Sequence, residues 1–432
     1  MIKKILRYGV RELKFYFSRK PYFLNYPAAT LCNHKCVMCN IHEIRKPKDI
    51  DCNRLAEIID DPLFDNIESI GLSGGEPYMK KDLVDTCRTL LGRLSSLKHF
   101  SINTNGRMPK QFRKTLPDII SACQKEGVQF NVVLSMDGVA GTHNQVRGVA
   151  DAWDKLVESF EILKSNGMTP SSLMTIHRFN WHEVFKVYKY CSDNGIVPYF
   201  GIATVIERLG NESDYENFSL SEMQKWYLWE FLTNQSKNKK NQLNKRIWYS
   251  LLADQLVYGR DRTASCVAYE RGVYLSDDGR LSYCGVYDIE LESKGCSTSL
   301  EAFNSESNII NIRQKMWDKH CKSCMHDYQS KPRISDLLSF LAEEFKLKQI
   351  KSLINLPFLM LPAALNPPIK KSVCVKRVFL YGWFGTETTG DKAIYAEVVS
   401  KVKKYFGNIE LIIISNNPTY TETTAIELGI QG

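Results

Sequence analysis

Three thiols lie within eight residues in the segment CNHKCVMC: Cys32, Cys36 and Cys39, at the spacing Cys-x3-Cys-x2-Cys. Thiolates are soft ligands that select zinc or iron–sulfur clusters. A structural metal site normally closes its coordination shell with four ligands, and no fourth cysteine follows within the segment. The stretch therefore poses a choice. Either a zinc ion draws its fourth ligand from a distant part of the chain, or something other than protein fills the fourth position. A second set of thiols lies downstream, at Cys266, Cys284, Cys321 and Cys324, with Cys296 between them. The sequence DDGRLSYC predicts a β-hairpin turning at Asp278 and Gly279, with Cys266 and Cys284 at its bases. Cys321-x2-Cys324 follows the helical pattern IINIRQKMWDKH. Four such thiols make a four-sulfur cage that suits zinc as well as a cluster.

Polar motifs stand where apolar runs stop. LSGGEP (72–77) holds Gly74, Gly75 and Glu76, NTNG (103–106) holds Asn103 and Asn105, and SMDGVAGTHNQVRG (135–148) holds Ser135, Asp137 and Arg147. Paired glycines let backbone approach a ligand closely and present N–H groups to it. Asp137 followed by Gly138 also reads as an ordinary turn.

The elements that must position these residues form a repeating unit. YPAATL ends a first apolar strand, and further apolar runs lie at 66–73, 97–105, 128–137, 171–178 and 197–203, with helical periodicity near 81–95, 110–125, 152–166 and 180–195. Six strands alternating with helices predict an α/β fold with a parallel sheet, a partial (β/α)6 TIM-like barrel over 23–205 whose chemistry sits at the C-terminal strand ends. An amphipathic helix (1–22) precedes it, read as a cap on the barrel, with peripheral membrane contact as the second reading. A polar helical connector (206–260) and a small cysteine-rich hairpin and helix domain (261–330) follow. A linker (331–376) leads to an incomplete α/β unit (377–432).

Composition excludes several classes. The chain has 432 residues, 44% hydrophobic, 24% charged and +9 at pH 7, ordinary for a globular protein with a large core. The N-terminus lacks the apolar core of a signal peptide, and no run is long enough to span a bilayer. A cytoplasmic protein is expected, in which thirteen cysteines serve metal sites and buried packing, not disulfides. Cys52, Cys87, Cys123, Cys191 and Cys374 read as small buried side chains, and Cys296 as a bystander. The stretch KRIWYSLLADQLVYGR (245–260) mixes basic and aromatic residues, but reads as an amphipathic helix, and no nucleic-acid partner is expected.

The three-cysteine loop after the first strand, followed by Gly-Gly-Glu-Pro, resembles the radical S-adenosylmethionine (SAM) superfamily. By that resemblance Cys32, Cys36 and Cys39 hold three irons of a [4Fe–4S] cluster, and SAM caps the fourth. Glu76 would accept from the methionyl ammonium, with Gly74, Gly75, Asn103 and Asn105 around the cofactor. Ser135 would contact the ribose, Arg147 the SAM carboxylate, and Met38 would pack near the adenine. Asp137 would stand beside the transferred hydrogen as a catalytic residue. The implied chemistry is reductive cleavage of SAM to a 5′-deoxyadenosyl radical that takes hydrogen from a substrate C–H. The electron would come from a reducing partner such as flavodoxin or ferredoxin. Behind such a barrel, Cys266, Cys284, Cys321 and Cys324 resemble a Twitch (shortened SPASM) domain with one auxiliary [4Fe–4S] cluster. That cluster would accept a second electron and so favour oxidation. The tail from Arg377 resembles the first β/α unit of polysaccharide pyruvyl transferases, which implies a sugar or glycan precursor as substrate. A ribosomally made peptide is the alternative substrate, and a zinc-containing binding module the alternative of another class.

Overall fold

The computed structural model describes residues 17–44, 49–262, 266–326, 340, 377–381, 396–400, 402–403 and 410–414. It divides into two compact units, Met1–Glu344 and Phe345–Gly432. Of the expected N-terminal helix only its last residues fall within the described part. The linker, apart from position 340, lies outside it, as does Cys374.

In the first unit the six expected strands are present: β1 (Phe23–Ala29), β2 (Ser69–Gly74), β3 (His99–Thr104), β4 (Gln129–Ser135), β5 (Ser171–Ile176) and β6 (Val197–Ile202). They lie side by side in chain order, each parallel to the next. The sheet is open, as in a partial TIM barrel. Helices α1 (Cys52–Ile59), α2 (Leu83–Arg93), α3 (Pro109–Lys125), α4 (Gly141–Arg147), α5 (Ala152–Ser165) and α6 (Val184–Asp193) alternate with the strands. Helix α1 starts where the Asp51 carboxylate accepts from the Arg54 N–H (2.8 Å), a side-chain cap on an otherwise orphaned donor.

Strand alternation sorts side chains between two environments. Leu24, Tyr26, Ile70, Leu72, Ile102 and Leu134 on one face belong to the main core, all fully buried. The opposite face carries Asn25, Ser73, Ser101, Asn103 and Asn131, which line a cavity of about 650 Å³ inside the arc.

The cysteine-rich segment does not form a sheet of its own. Strands β7 (Gly272–Leu275) and β8 (Leu281–Ser282) make the expected antiparallel hairpin, and Gly279 takes φ +90 in its turn. Yet β7 also pairs parallel with β1, Phe23 opposite Gly272, extending the barrel sheet to eight strands. The connector, expected to be polar, is a wall of the barrel. Helices α7 (Glu222–Lys237) and α8 (Leu243–Tyr258) pack on each other and bury Leu228, Phe231, Trp248 and Leu252. Phe231 meets Phe200 of β6 edge-on (4.7 Å), and Tyr249 accepts the Phe200 N–H (3.1 Å).

In the second unit β9 (Arg377–Tyr381) pairs parallel with β10 (Glu410–Ile414), with helical residues 396–400 between them in sequence. The rest of the expected C-terminal segment lies outside the described residues. Among the described residues no helix is long and apolar enough to cross a membrane.

Candidate functional site

The loop after β1 is held from three sides. Lys35 and Val37 donate their N–H groups to Arg147 O and Val146 O (both 3.0 Å), at the end of α4. Helix α4 stops at Gly148 in the left-handed region (φ +64), where a Cβ would strike Lys35 O at 2.3 Å. The Cys39 N–H turns back to Cys36 O (3.1 Å), and Asn40 N–H reaches Leu209 O (2.9 Å). Upstream, the Thr30 hydroxyl donates to Asp277 (2.8 Å) at the tip of the β7–β8 hairpin.

The Gly-Gly-Glu-Pro segment buttresses this loop from the fourth side. The Gly75 and Glu76 N–H groups donate to Ala29 O (2.6 Å) and Leu31 O (2.7 Å). A Cβ on Gly74 would stand 2.3 Å from Ala29 O, and one on Gly75 2.2 Å from Leu31 O. The close approach expected of these glycines is thus made to the chain's own backbone. Glu76 is buried, with its carboxylate accepting from Tyr78 N–H (3.0 Å), the Thr104 hydroxyl (2.6 Å) and Asn105 N–H (2.7 Å). Burial raises its pKa against these bonds and the Arg147 charge.

Two polar side chains approach the thiols. Arg147 Nη1 lies 3.6 Å from Cys36 Sγ, and Asn105 Nδ2 lies 3.9 Å from Cys32 Sγ while donating to Asn33 (2.7 Å). Burial pushes the Cys32 thiol up to about 11 and Cys36 to about 12, with Arg147 opposing both. Cys39 is raised by burial, opposed by Arg208 and Arg147. Thiolates here need compensating positive charge, which bound iron supplies.

Asp137 is fully buried. One carboxylate oxygen accepts Thr175 N–H (2.8 Å), and the other pairs with Arg147 Nη2 (2.8 Å). Its visible task is to hold the guanidinium that meets Cys36. Ser135 ends β4 on the face shared with cavity-lining Asn131 and Val133. Asn103 lines the cavity itself. Met38 packs with Val146, Ala203 and Phe218.

Sequence reasoning missed three histidines. His34, His143 and His177 are buried and each feels the Arg147 charge, which with burial drives them toward the neutral form. Among the described residues, both His34 ring nitrogens, His143 Nε2, His177 Nε2 and Arg147 Nε have no hydrogen-bond partner. Buried polar atoms are normally paired, so these orphans, gathered around Arg147, fit a polar cofactor such as SAM. The signal was partly in view, since His143 lies inside the quoted SMDG motif and His177 just past β5.

Cys284 and Cys321 each feel Cys266 and Cys324 electrostatically, with Cys321 pushed by burial to about 12 and Cys284 higher. Cys321 ends a π-helical turn, Trp317–Cys321, a geometry frequent at functional sites. Arg262 clamps the loop beyond it, its backbone N–H on Lys322 O (2.6 Å) and Nη1 on Cys324 O (3.2 Å) and His326 O (2.8 Å). Cys296 sits half-exposed in a turn, its N–H on Ser293 O (3.0 Å). Among the described residues no three Cys, His, Asp or Glu side chains converge as one metal ion requires. A cubane attaches its thiolates to different irons and imposes no such convergence. Cys87, Cys123 and Cys191 are buried as expected, whereas Cys52 is partly exposed and its thiol donates to Asp82 (3.1 Å).

Residues 26–191 match the family described as Radical SAM superfamily. An AdoMet-dependent heme synthase of Methanosarcina barkeri is 27% identical over 189 residues, 42% of this chain and 50% of that protein. The chain thus spans half the length of that relative. A probable GTP 3′,8-cyclase of Saccharolobus islandicus is 25% identical over 260 residues, 59% of this chain and 79% of that protein. The solved structure of anSMEcpe with bound AdoMet and Cp18Cys peptide superposes with a TM-score of 0.50 at 19% identity, covering 78% of this chain and 99% of that one. It shares the fold. With a parallel sheet in chain order and the three-cysteine loop at the end of its first strand, residues 26–191 are similar to the radical SAM superfamily in both sequence and strand order.

Proposed function

We propose that the chain is a radical SAM oxidoreductase whose Cys32, Cys36 and Cys39 hold the cluster that binds SAM, and whose Cys266, Cys284, Cys321 and Cys324 hold an auxiliary [4Fe–4S] cluster. The observation that carries this reading is the Cys32–Cys39 loop itself. Its thiols, which feel one another electrostatically, are met by Arg147 and Asn105 among buried polar atoms that lack partners among the described residues. When bound, these groups supply a 5′-deoxyadenosyl radical at one end and an electron acceptor at the other, together a net two-electron oxidation.

The chain's own residues orient and enclose. Arg147, fixed by Asp137, presents charge to the Cys36 side of the site and would take the SAM carboxylate. Gly74, Gly75 and Glu76 keep the cysteine loop against β2, and the remaining lone pair on Glu76 suits the methionyl ammonium. Ser135, Asn103 and Asn105 offer polar groups toward the ribose side, with Met38 as apolar backing. The cavity inside the arc shelters the substrate from water.

The substrate reading favours a sugar or glycan precursor, on the resemblance of the tail and the amide- and hydroxyl-rich cavity face. A ribosomally made peptide is the second reading, supported by the peptide held in anSMEcpe. An external reductant of the flavodoxin or ferredoxin type completes the scheme. The test is anaerobic reconstitution with metal analysis. About eight irons per chain with little zinc are expected for two cubanes, and the reduced protein should release 5′-deoxyadenosine from SAM. Cys36→Ala should abolish that release. Cys324→Ala should keep it while ending substrate turnover. Zinc in place of iron refutes the reading.

A further inference from the structure

The cavity carries a charge pattern that SAM cleavage does not use. Among the described residues lining it, Arg208, Lys240 and Lys245 bring positive charge, and no aspartate or glutamate is present. Lys245 is engaged, its Nζ on Pro198 O (2.6 Å) and over the Tyr199 ring. Arg208 differs, because its Nη1 is buried without a hydrogen-bond partner among the described residues. Two further donors in the same wall share that condition, Tyr274 Oη and Trp248 Nε1, on residues only 2% and 3% exposed. Burial raises the Tyr274 pKa, so the phenol keeps its proton. The indole N–H is a donor only. A buried donor left unpaired is costly. Three of them around one cavity, one charged, ask for an oxyanion.

Their positions are braced by both cysteine sets. Arg208 rides on a strap whose Leu209 O accepts from Asn40, beside Cys39, and whose Glu207 N–H donates to Val286 O, two residues past Cys284. The Tyr274 ring is pressed by Gly285, where a Cβ would meet it at 2.3 Å. The Trp248 ring is covered by Arg262 (4.9 Å), the residue that clamps the Cys321–Cys324 loop.

We propose that the cavity takes its substrate by an anionic group, a phosphate ester or a carboxylate, paired with Arg208 and hydrogen-bonded by Tyr274 and Trp248. This deepens the radical SAM reading and rests on it for what the bound molecule then undergoes. A guanidinium fork suits either oxyanion. With the anion held there, the amides of Asn25, Asn103 and Asn131 face the neutral polar remainder of the substrate.

The test is titration calorimetry on the anaerobically reconstituted full chain at constant ionic strength. The probes are uridine 5′-diphosphate against uridine, and N-acetylglutamate against N-acetylglutamine. One anion should bind saturably and its neutral counterpart should not. The diphosphate arm identifies a phosphate ester and the glutamate arm a carboxylate. Arg208→Gln should weaken that probe by about tenfold or more, Arg208→Lys by less, and Tyr274→Phe by roughly threefold to tenfold. Iron content and circular dichroism establish that each variant is folded. Should Arg208→Gln not fold, Tyr274→Phe and Trp248→Phe decide by the same criterion. The inference is overturned if neither anion saturates, or if the folded variants bind it as tightly as the parent. Release of 5′-deoxyadenosine by the parent chain is scored separately, so failure of the family chemistry stays distinguishable from failure of the anion site.

Discussion

Replacing Gly75 with alanine should unseat the cysteine loop while leaving the rest of the barrel intact. A Cβ at this position would stand 2.2 Å from Leu31 O, 2.5 Å from Leu31 C and 2.6 Å from Thr30 O. All three are backbone atoms and none can swing aside. The two segments must part by roughly 1 Å before such contacts become tolerable in a close-packed interior. That movement breaks two hydrogen bonds, Gly75 to Ala29 O (2.6 Å) and Glu76 to Leu31 O (2.7 Å). At about 1 kcal/mol each, the loss is about 2 kcal/mol, which lowers the melting temperature of a unit of this size (Met1–Glu344) by roughly 3 °C. The functional cost is larger, because Leu31 adjoins Cys32. Iron at the first cluster and the spectral response to SAM should both fall sharply. Gly71→Ala is the control, since its Cβ has nothing nearer than 3.8 Å. The measurements are scanning fluorimetry, iron per chain and electron paramagnetic resonance with and without SAM. If Gly75→Ala melts, loads iron and answers SAM like the Gly71→Ala control, the buttress argument fails.

Two further perturbations address the other cysteine set and the buried histidines. Arg262→Ala removes the side-chain bonds to Cys324 O and His326 O. It should cut iron by about half, four atoms of two cubanes, with 5′-deoxyadenosine release retained; full iron content would count against the clamp. Burial, aided by the Arg147 charge, lowers His177 from 6.5 to about 4. Over that window the unfolded chain takes up a proton that the folded chain refuses, so stability falls as pH drops, by about 2 kcal/mol for this group at pH 5. His177→Asn should flatten the change in urea midpoint between pH 7 and 5 by about one proton's worth, and an unchanged slope would sink the assignment.

The strands of the barrel were legible as short apolar runs between segments of helical periodicity, and all six runs became strands of one sheet. The cysteine loop and Gly-Gly-Glu-Pro were legible because their chemistry is local in sequence. What stayed hidden depends on distant partners. The pairing of β7 with β1 joins residues some 250 apart in sequence (Phe23 with Gly272), and local periodicity carries no trace of it. The connector read as polar because its apolar residues are wrapped around two helices, and only the packing of α7 on α8 and on Phe200 reveals a buried wall. Asp137 read as catalytic from its motif, and its bonds to the Thr175 N–H and the Arg147 guanidinium were not legible there. Arg208 gave no signal, since its meaning comes from the two loops its strap joins.

The shared sheet fixes how the two cysteine sets stand to one another. Cys32, Cys36 and Cys39 follow the C-terminal end of β1. Cys266 precedes β7, which starts opposite Phe23 at the other end of that strand. Strand β8 runs back along β7, Ser282 opposite Tyr274, so Cys284 returns toward the same end as Cys266. Seven residues of β1 at about 3.3 Å each separate the two ends by roughly 20 Å. A tethered domain would leave that distance to a linker, whereas register in one sheet sets it to the length of a strand. The cavity runs alongside the same interval, from Phe23 and Val197 at the strand starts to Ser73 and Asn103 at their ends. If the proposed anchor at Arg208 holds, a substrate would lie between the place where hydrogen would be taken and the place where an electron would leave. The hairpin that resembles an accessory module is, in this chain, the part of the barrel that sets that geometry.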